Sequence, residues 1–152
     1  DALETGVVKR YITDFGTEEL LNKPNVTVFP HVGGSTGEAE LNCAIMAGQT
    51  IRRFMETGEI VNSVNFPRVQ QVLSAPYRIT LINKNVPNIV ARISTAVSDF
   101  NINIDNIINR SKGEYAYTLL DLDETDKSKI DELVAKFEAS DNIVRVRLIK
   151  GK

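Results

Sequence analysis

The sequence predicts an α+β protein whose C-terminal half is a four-stranded antiparallel sheet with both of its helices on one face. Three observations lead there. From Tyr77 onward, apolar residues recur at spacings of two and of three to four in the order strand, helix, strand, strand, helix, strand. The two middle strands are joined only by a short loop at Ser111-Lys112-Gly113, so they pair as a hairpin. The remaining connections run through helices, and right-handed crossovers put those helices on the same side of the sheet. That is the split βαβ, ferredoxin-like arrangement.

The elements follow in order. Asp1 to Thr5 reads as the tail of a helix, with Gly6 supplying the left-handed residue past its end. Residues 7–12 read as a strand and residues 14–22 as a loop with one helical turn. Pro24-Asn25 is a turn, and residues 26–29 form a second strand. Ser35 and Glu38 have capping-box spacing before a long helix over residues 36–57 that carries Leu41, Ile45, Ile51, Phe54 and Met55 and stops at Gly58. Cys43, the lone cysteine, is expected to be a small buried apolar residue. Residues 61–67 are extended and residues 67–76, which lack a clear period, form a linker.

In the C-terminal half, residues 77–82 are a strand. Asn85 is the expected cap of a helix with Pro87 in its first turn and Ile89, Ile93, Ala96, Val97 and Phe100 on one side. Residues 102–109 and 115–122 make the hairpin. Ile130, Leu133, Val134 and Phe137 mark the second helix. Residues 143–149 close the sheet, with Val144, Val146 and Leu148 on one side and Arg145 and Arg147 on the other.

Composition narrows the function. The chain has 152 residues and a net charge of −2, which leaves no electrostatic footprint for nucleic acid or an anionic membrane. An RNA-binding sheet would carry stacking aromatics on both central strands, and only Tyr115 and Tyr117 answer that description. One cysteine permits no internal disulfide and suits a reducing cytoplasm. No phosphate-binding glycine loop, dinucleotide fingerprint or metal-ligand motif is present in the sequence.

One stretch carries chemistry. In Phe29-Pro30-His31-Val32-Gly33-Gly34-Ser35-Thr36 the single histidine follows a strand and precedes a helix, where α/β enzymes place reactive groups. An imidazole there exchanges a proton near neutral pH, whereas a lone loop histidine does nothing. Gly33 and Gly34 are either a tight turn or a place of close backbone approach to a ligand.

Asp14-Phe15-Gly16-Thr17-Glu18, followed by Pro30-His31-Val32-Gly33-Gly34-Ser35-Thr36-Gly37-Glu38-Ala39, resembles the C-terminal end of the catalytic core of the D-2-hydroxyacid dehydrogenases. Val61-Asn62-Ser63-Val64-Asn65-Phe66-Pro67 looks like the join to a regulatory domain in the branch of that family that oxidises 3-phospho-D-glycerate to 3-phosphohydroxypyruvate, the first step of L-serine biosynthesis. The part from Tyr77 on resembles an ACT domain, a small-molecule-binding module of the fold just derived. The resemblance implies the tail of a Rossmann-type core in residues 1–66, a linker in 67–76 and an ACT regulatory domain in 77–152. It implies His31 as the catalytic proton-exchanging residue with Glu18 (or its neighbour Glu19) as paired carboxylate. It also implies Gly33 and Gly34 beside the nicotinamide of NAD, and an amino-acid effector, serine or another, held by Asn83, Asn85, Asn103 and Ile104. Where Asn88 and Asn101 stand, the family pattern has glycine. The substrate-binding arginine and the NAD pyrophosphate loop would lie upstream of Asp1, so the chain alone is expected to be inactive as a dehydrogenase. A cytoplasmic homodimer through the ACT domain is expected, with no nucleic-acid or membrane partner. The readings that compete are a free-standing ACT-type amino-acid sensor and another D-2-hydroxyacid dehydrogenase.

Overall fold

The computed structural model describes residues 1–151; Lys152, the last residue of the expected regulatory domain, lies outside the described residues. The chain divides into two compact units, Asp1–Ala47 and Gly48–Lys152, and the division falls inside a helix.

In the first unit, Asp1 to Thr5 make a single turn closed by Thr5 N–H donating to Asp1 O, and Gly6 is left-handed at φ 73°. Two short parallel strands follow, β1 (Tyr11–Thr13) and β2 (Val26–Val28). The first is half the length expected, because residues 7–10 bend before Tyr11 joins the pair. Helix α1 (Gly37–Thr57) starts one residue later than the capping-box reading requires. Its cap is Thr36, whose Oγ1 accepts from Ala39 N–H at 3.1 Å, so the Ser35–Glu38 pairing is replaced by a hydroxyl one residue on. No residue of α1 is buried, and Leu41, Ile45 and Met46 stand exposed. Cys43 is exposed too, against expectation, because this length of helix has no cover.

The second unit holds β3 (Tyr77–Lys84), α2 (Ile89–Ser98), β4 (Asn103–Lys112), β5 (Tyr115–Asp123), α3 (Lys127–Glu138) and β6 (Ile143–Lys150). The sheet order is β4-β5-β3-β6, all antiparallel, which is the ferredoxin-like topology expected. The hairpin loop is tighter than the sequence suggested. Lys112 pairs with Tyr115, leaving Gly113-Glu114 as the turn with Gly113 at φ 64°, the position where glycine removes the Cβ conflict. One face of the sheet packs Tyr77, Ile79, Leu81, Leu120 and Leu122 against α2 and α3 through Ile93, Val97, Ile130, Leu133 and Phe137. Strand β6 departs from simple alternation. A register shift opposite Ile82/Asn83 leaves Val144 57% exposed, while Ile143, Val146 and Leu148 pack on the helical side.

The other face of the sheet is covered by residues 58–72, which cross it as a strap. Ile60 and Val69 form an antiparallel bridge and, with Phe66, pack on Tyr117 and Leu119. Residues 67–76 are therefore no free tether: Val69 and Ala75 are 1% and 5% exposed.

Candidate functional site

Three groups of side chains bear on function, one in the first unit and two in the second.

In the first unit the β2 end delivers His31, whose Nδ1 lies 2.6 Å from Asp14 Oδ2. The carboxylate that reaches the imidazole is thus Asp14, in the turn after β1, and not Glu18 or Glu19. The reason is local: Thr13 Oγ1 accepts from Phe15 N–H and bends the chain just past β1, which turns Asp14 toward the parallel neighbour, while residues 17–21 coil into a separate helical turn. A carboxylate oxygen accepts, so Nδ1 is the donor of this bond and Nε2 is the ring nitrogen left outside it. The Phe15 ring sits 4.4 Å from the imidazole, and both members of the pair remain open to solvent, at 57% and 37% of side-chain surface. Gly33 and Gly34 adopt ordinary backbone angles, and a Cβ on either would meet nothing within 4 Å. Both stand open to solvent, so no other described residue blocks the approach of a ligand to residues 31–34.

In the second unit Asn83, the last inward-facing residue of β3, is fully buried. Its Oδ1 accepts from Thr118 Oγ1 at 2.8 Å, and Thr118 in turn accepts from Asn109 Nδ2 at 2.7 Å, a polar ladder across three strands on the helical face. Asn85 does not cap α2. Its amide donates to Gly113 O at 3.1 Å and so ties the loop after β3 to the hairpin tip. The cap position belongs to Asn88, left-handed at φ 63°, and Asn101 after α2 is left-handed at φ 53°. Both are positions where the family pattern has glycine, and asparagine is the side chain that best tolerates this geometry.

Asn103 and Ile104 lie elsewhere. Asn103 pairs with Asp123, while Asn83 pairs with Ala116, so along β5 the two ends are about 23 Å apart at ~3.3 Å per residue. Asn103 is exposed and Ile104 is half-buried against the core. One copy of the chain therefore does not bring these four residues together.

The third group was missed by sequence reasoning. Arg78 and Asp121 are cross-strand partners, 0% and 1% exposed, joined by two hydrogen bonds of 2.5 and 2.7 Å. The same guanidinium donates to the carbonyls of Thr57, Gln71 and Val72, and Tyr117 Oη donates to Gly58 O. These bonds pin the strap to the sheet. Burial pushes the Tyr117 hydroxyl above its ordinary pKa, against weaker lowering by a Thr80 hydrogen bond and by Arg147 and Arg78. The signal was visible: an arginine and an aspartate, each embedded in an apolar strand run, are costly unless they meet.

No protein-family model matches the chain. It is similar to D-3-phosphoglycerate dehydrogenase 2 of Saccharomyces cerevisiae, 32% identical over 139 residues, which covers 88% of this chain and 29% of that protein. It is also similar to the D-3-phosphoglycerate dehydrogenase of Escherichia coli K12, at 26% identity over 133 residues, 88% of this chain and 32% of that one. The chain thus spans about a third of the length of these relatives. Among solved structures it resembles the ACT domain from GTP pyrophosphokinase of Chlorobium tepidum, with TM-score 0.44 and 18% identity over 48% of this chain and 95% of that chain.

Proposed function

We propose that the chain is the C-terminal portion of an NAD-dependent D-3-phosphoglycerate dehydrogenase, in which the second unit is an amino-acid-responsive regulatory domain. One observation carries this reading. A match over 88% of the chain necessarily takes in residues of both units, so the histidine segment and the βαββαβ module resemble one kind of enzyme together. A free-standing sensor would explain only the second unit, and the His31–Asp14 pair would then have no use. Left-handed asparagines where the ACT pattern has glycine add to the case.

In the parent enzyme, His31 would pass the hydroxyl proton of 3-phospho-D-glycerate while hydride leaves for NAD, with Asp14 holding the ring. NAD supplies the hydride acceptor. Gly33 and Gly34 leave space beside the imidazole for its nicotinamide, and the loop that grips the pyrophosphate is not among these residues. The exposed apolar side chains of α1 and of Val7, Ile12 and Phe15 would then be covered by other parts of such an enzyme, which we place in the cytoplasm.

The effector reading is deepened by the sheet geometry. Asn83 and Asn85 stand at one end of the sheet and Asn103 at the other, so a ligand that touches both sets requires two copies. A homodimer through the second unit, formed at the exposed sheet edges, is the arrangement we propose, with L-serine as effector. Calorimetric titration of the chain with L-serine, beside light scattering, tests it. Saturable heat from a dimer is the expected outcome. A monomeric mass, or no heat at millimolar L-serine, would remove the effector role.

A further inference from the structure

A pocket of about 370 Å³ opens on the face of the sheet opposite the polar ladder. Its construction follows from register. On β3, Thr80 and Ile82 point away from α2 and α3, and Ile82 lies between Tyr117 on β5 and Arg145 on β6, while Thr80 pairs with Arg147. The last turns of α1 close the side with Phe54 and Met55. The two arginines are two residues apart on one strand face, yet their situations differ. Arg147 is occupied: it donates to the carbonyls of Phe54 and Met55, and its guanidinium lies 5.1 Å from the Phe54 ring centre. The Arg145 guanidinium makes no hydrogen bond or ion pair among the described residues, although it lines the same pocket. Among the described residues no carboxylate lines the pocket.

We infer that this pocket binds a small monocarboxylate with an aromatic or branched apolar body, its carboxylate paired with Arg145. The free guanidinium is a planar fork that matches a carboxylate. Phe54, Met55 and Ile82 offer apolar surface to the body of the ligand, and Thr80 and Tyr117 complete the lining. A phosphate dianion fits less well, because only one guanidinium here is uncommitted and the walls are apolar. The site is separate from the proposed serine site, which lies on the other face and at the sheet ends, and it does not depend on that reading.

The test uses the whole chain with 4-phenylbutyrate as probe and 4-phenylbutan-1-ol as its neutral counterpart, followed by calorimetry and by backbone amide shifts. The carboxylate is expected to saturate and to move the amides of Thr80, Ile82 and Arg145, with the alcohol at least about tenfold weaker. Arg145→Gln, at an exposed position where it should fold as the wild type does, should bring the carboxylate down to the level of the alcohol, and Arg92→Gln on α2 should change nothing. Equal affinity for alcohol and carboxylate, an unaltered Arg145→Gln protein, shifts confined to other residues, or no saturation by about ten millimolar would each overturn the assignment.

Discussion

The two units of this chain treat their apolar residues in opposite ways. In Gly48–Lys152, one face of the sheet is covered by α2 and α3 and the other in part by the strap, and Ile79, Leu81, Leu120, Leu122, Ile130 and Leu133 are fully buried, although Val64 and Val72 of the strap stand exposed. In Asp1–Ala47, Val7, Ile12, Phe15 and Leu41 are 60–80% exposed. The first pattern is that of a module able to fold by itself. The second is that of a piece of surface made to be covered, carrying a His–Asp pair just past the ends of its short strands. The contrast is what divides regulation from catalysis in the proposed parent enzyme.

Substitutions in both units put this contrast to the test. The largest effect is expected from Asp121→Asn, which leaves Arg78 buried without its counter-charge and should cost about 3–5 kcal/mol in denaturant unfolding. A loss under ~1 kcal/mol would mean the strap is not held by this pair. Gly58→Ala should cost about 2–4 kcal/mol, because the position is left-handed and the added Cβ would sit 2.5 Å from Thr80 Cγ2. Tyr117→Phe should cost about 1 kcal/mol by removing the hydroxyl that donates to Gly58 O. It should also change the pH profile. A hydroxyl whose pKa is raised on folding contributes stability that is intact below its unfolded value near 10 and lost as pH rises past it. The wild-type chain should therefore lose stability in that alkaline range more steeply than the phenylalanine variant. At the small end, Leu41→Ser should change stability by no more than about 0.5 kcal/mol, since Leu41 is 61% exposed. A large loss there would show that α1 is covered in solution and that the contrast between the units is wrong.

The topology of the second unit was legible because periodicity reports which face of each strand and helix is buried, and Ile93, Val97, Ile130, Leu133 and Phe137 stand where it puts them. Asn88 and Asn101 stood out in the sequence because the family pattern has glycine there, and the left-handed backbone at both explains why asparagine is the replacement. The strap was not, since it is held by side chains donating to its carbonyls rather than by a ladder with a period. Asn85 was mistaken for a cap because a side-chain amide near a proline fits that role equally well by spacing; only the hairpin tip, distant in sequence, claims it. The carboxylate beside His31 could not be chosen from sequence either. Asp14, Glu18 and Glu19 all lie within reach along the chain, and the short bend after β1 decides among them.

The central proposal, an effector site shared by two copies, can be tested by complementation. Asn85→Ala and Asn103→Ala variants would be titrated with L-serine separately and after refolding together in equal amounts. Each variant alone should lose the binding heat, while the mixture should regain about a quarter of the wild-type capacity, from heterodimers with one intact site of two. A mixture as silent as its components, or a single variant that binds like wild type, would contradict the account.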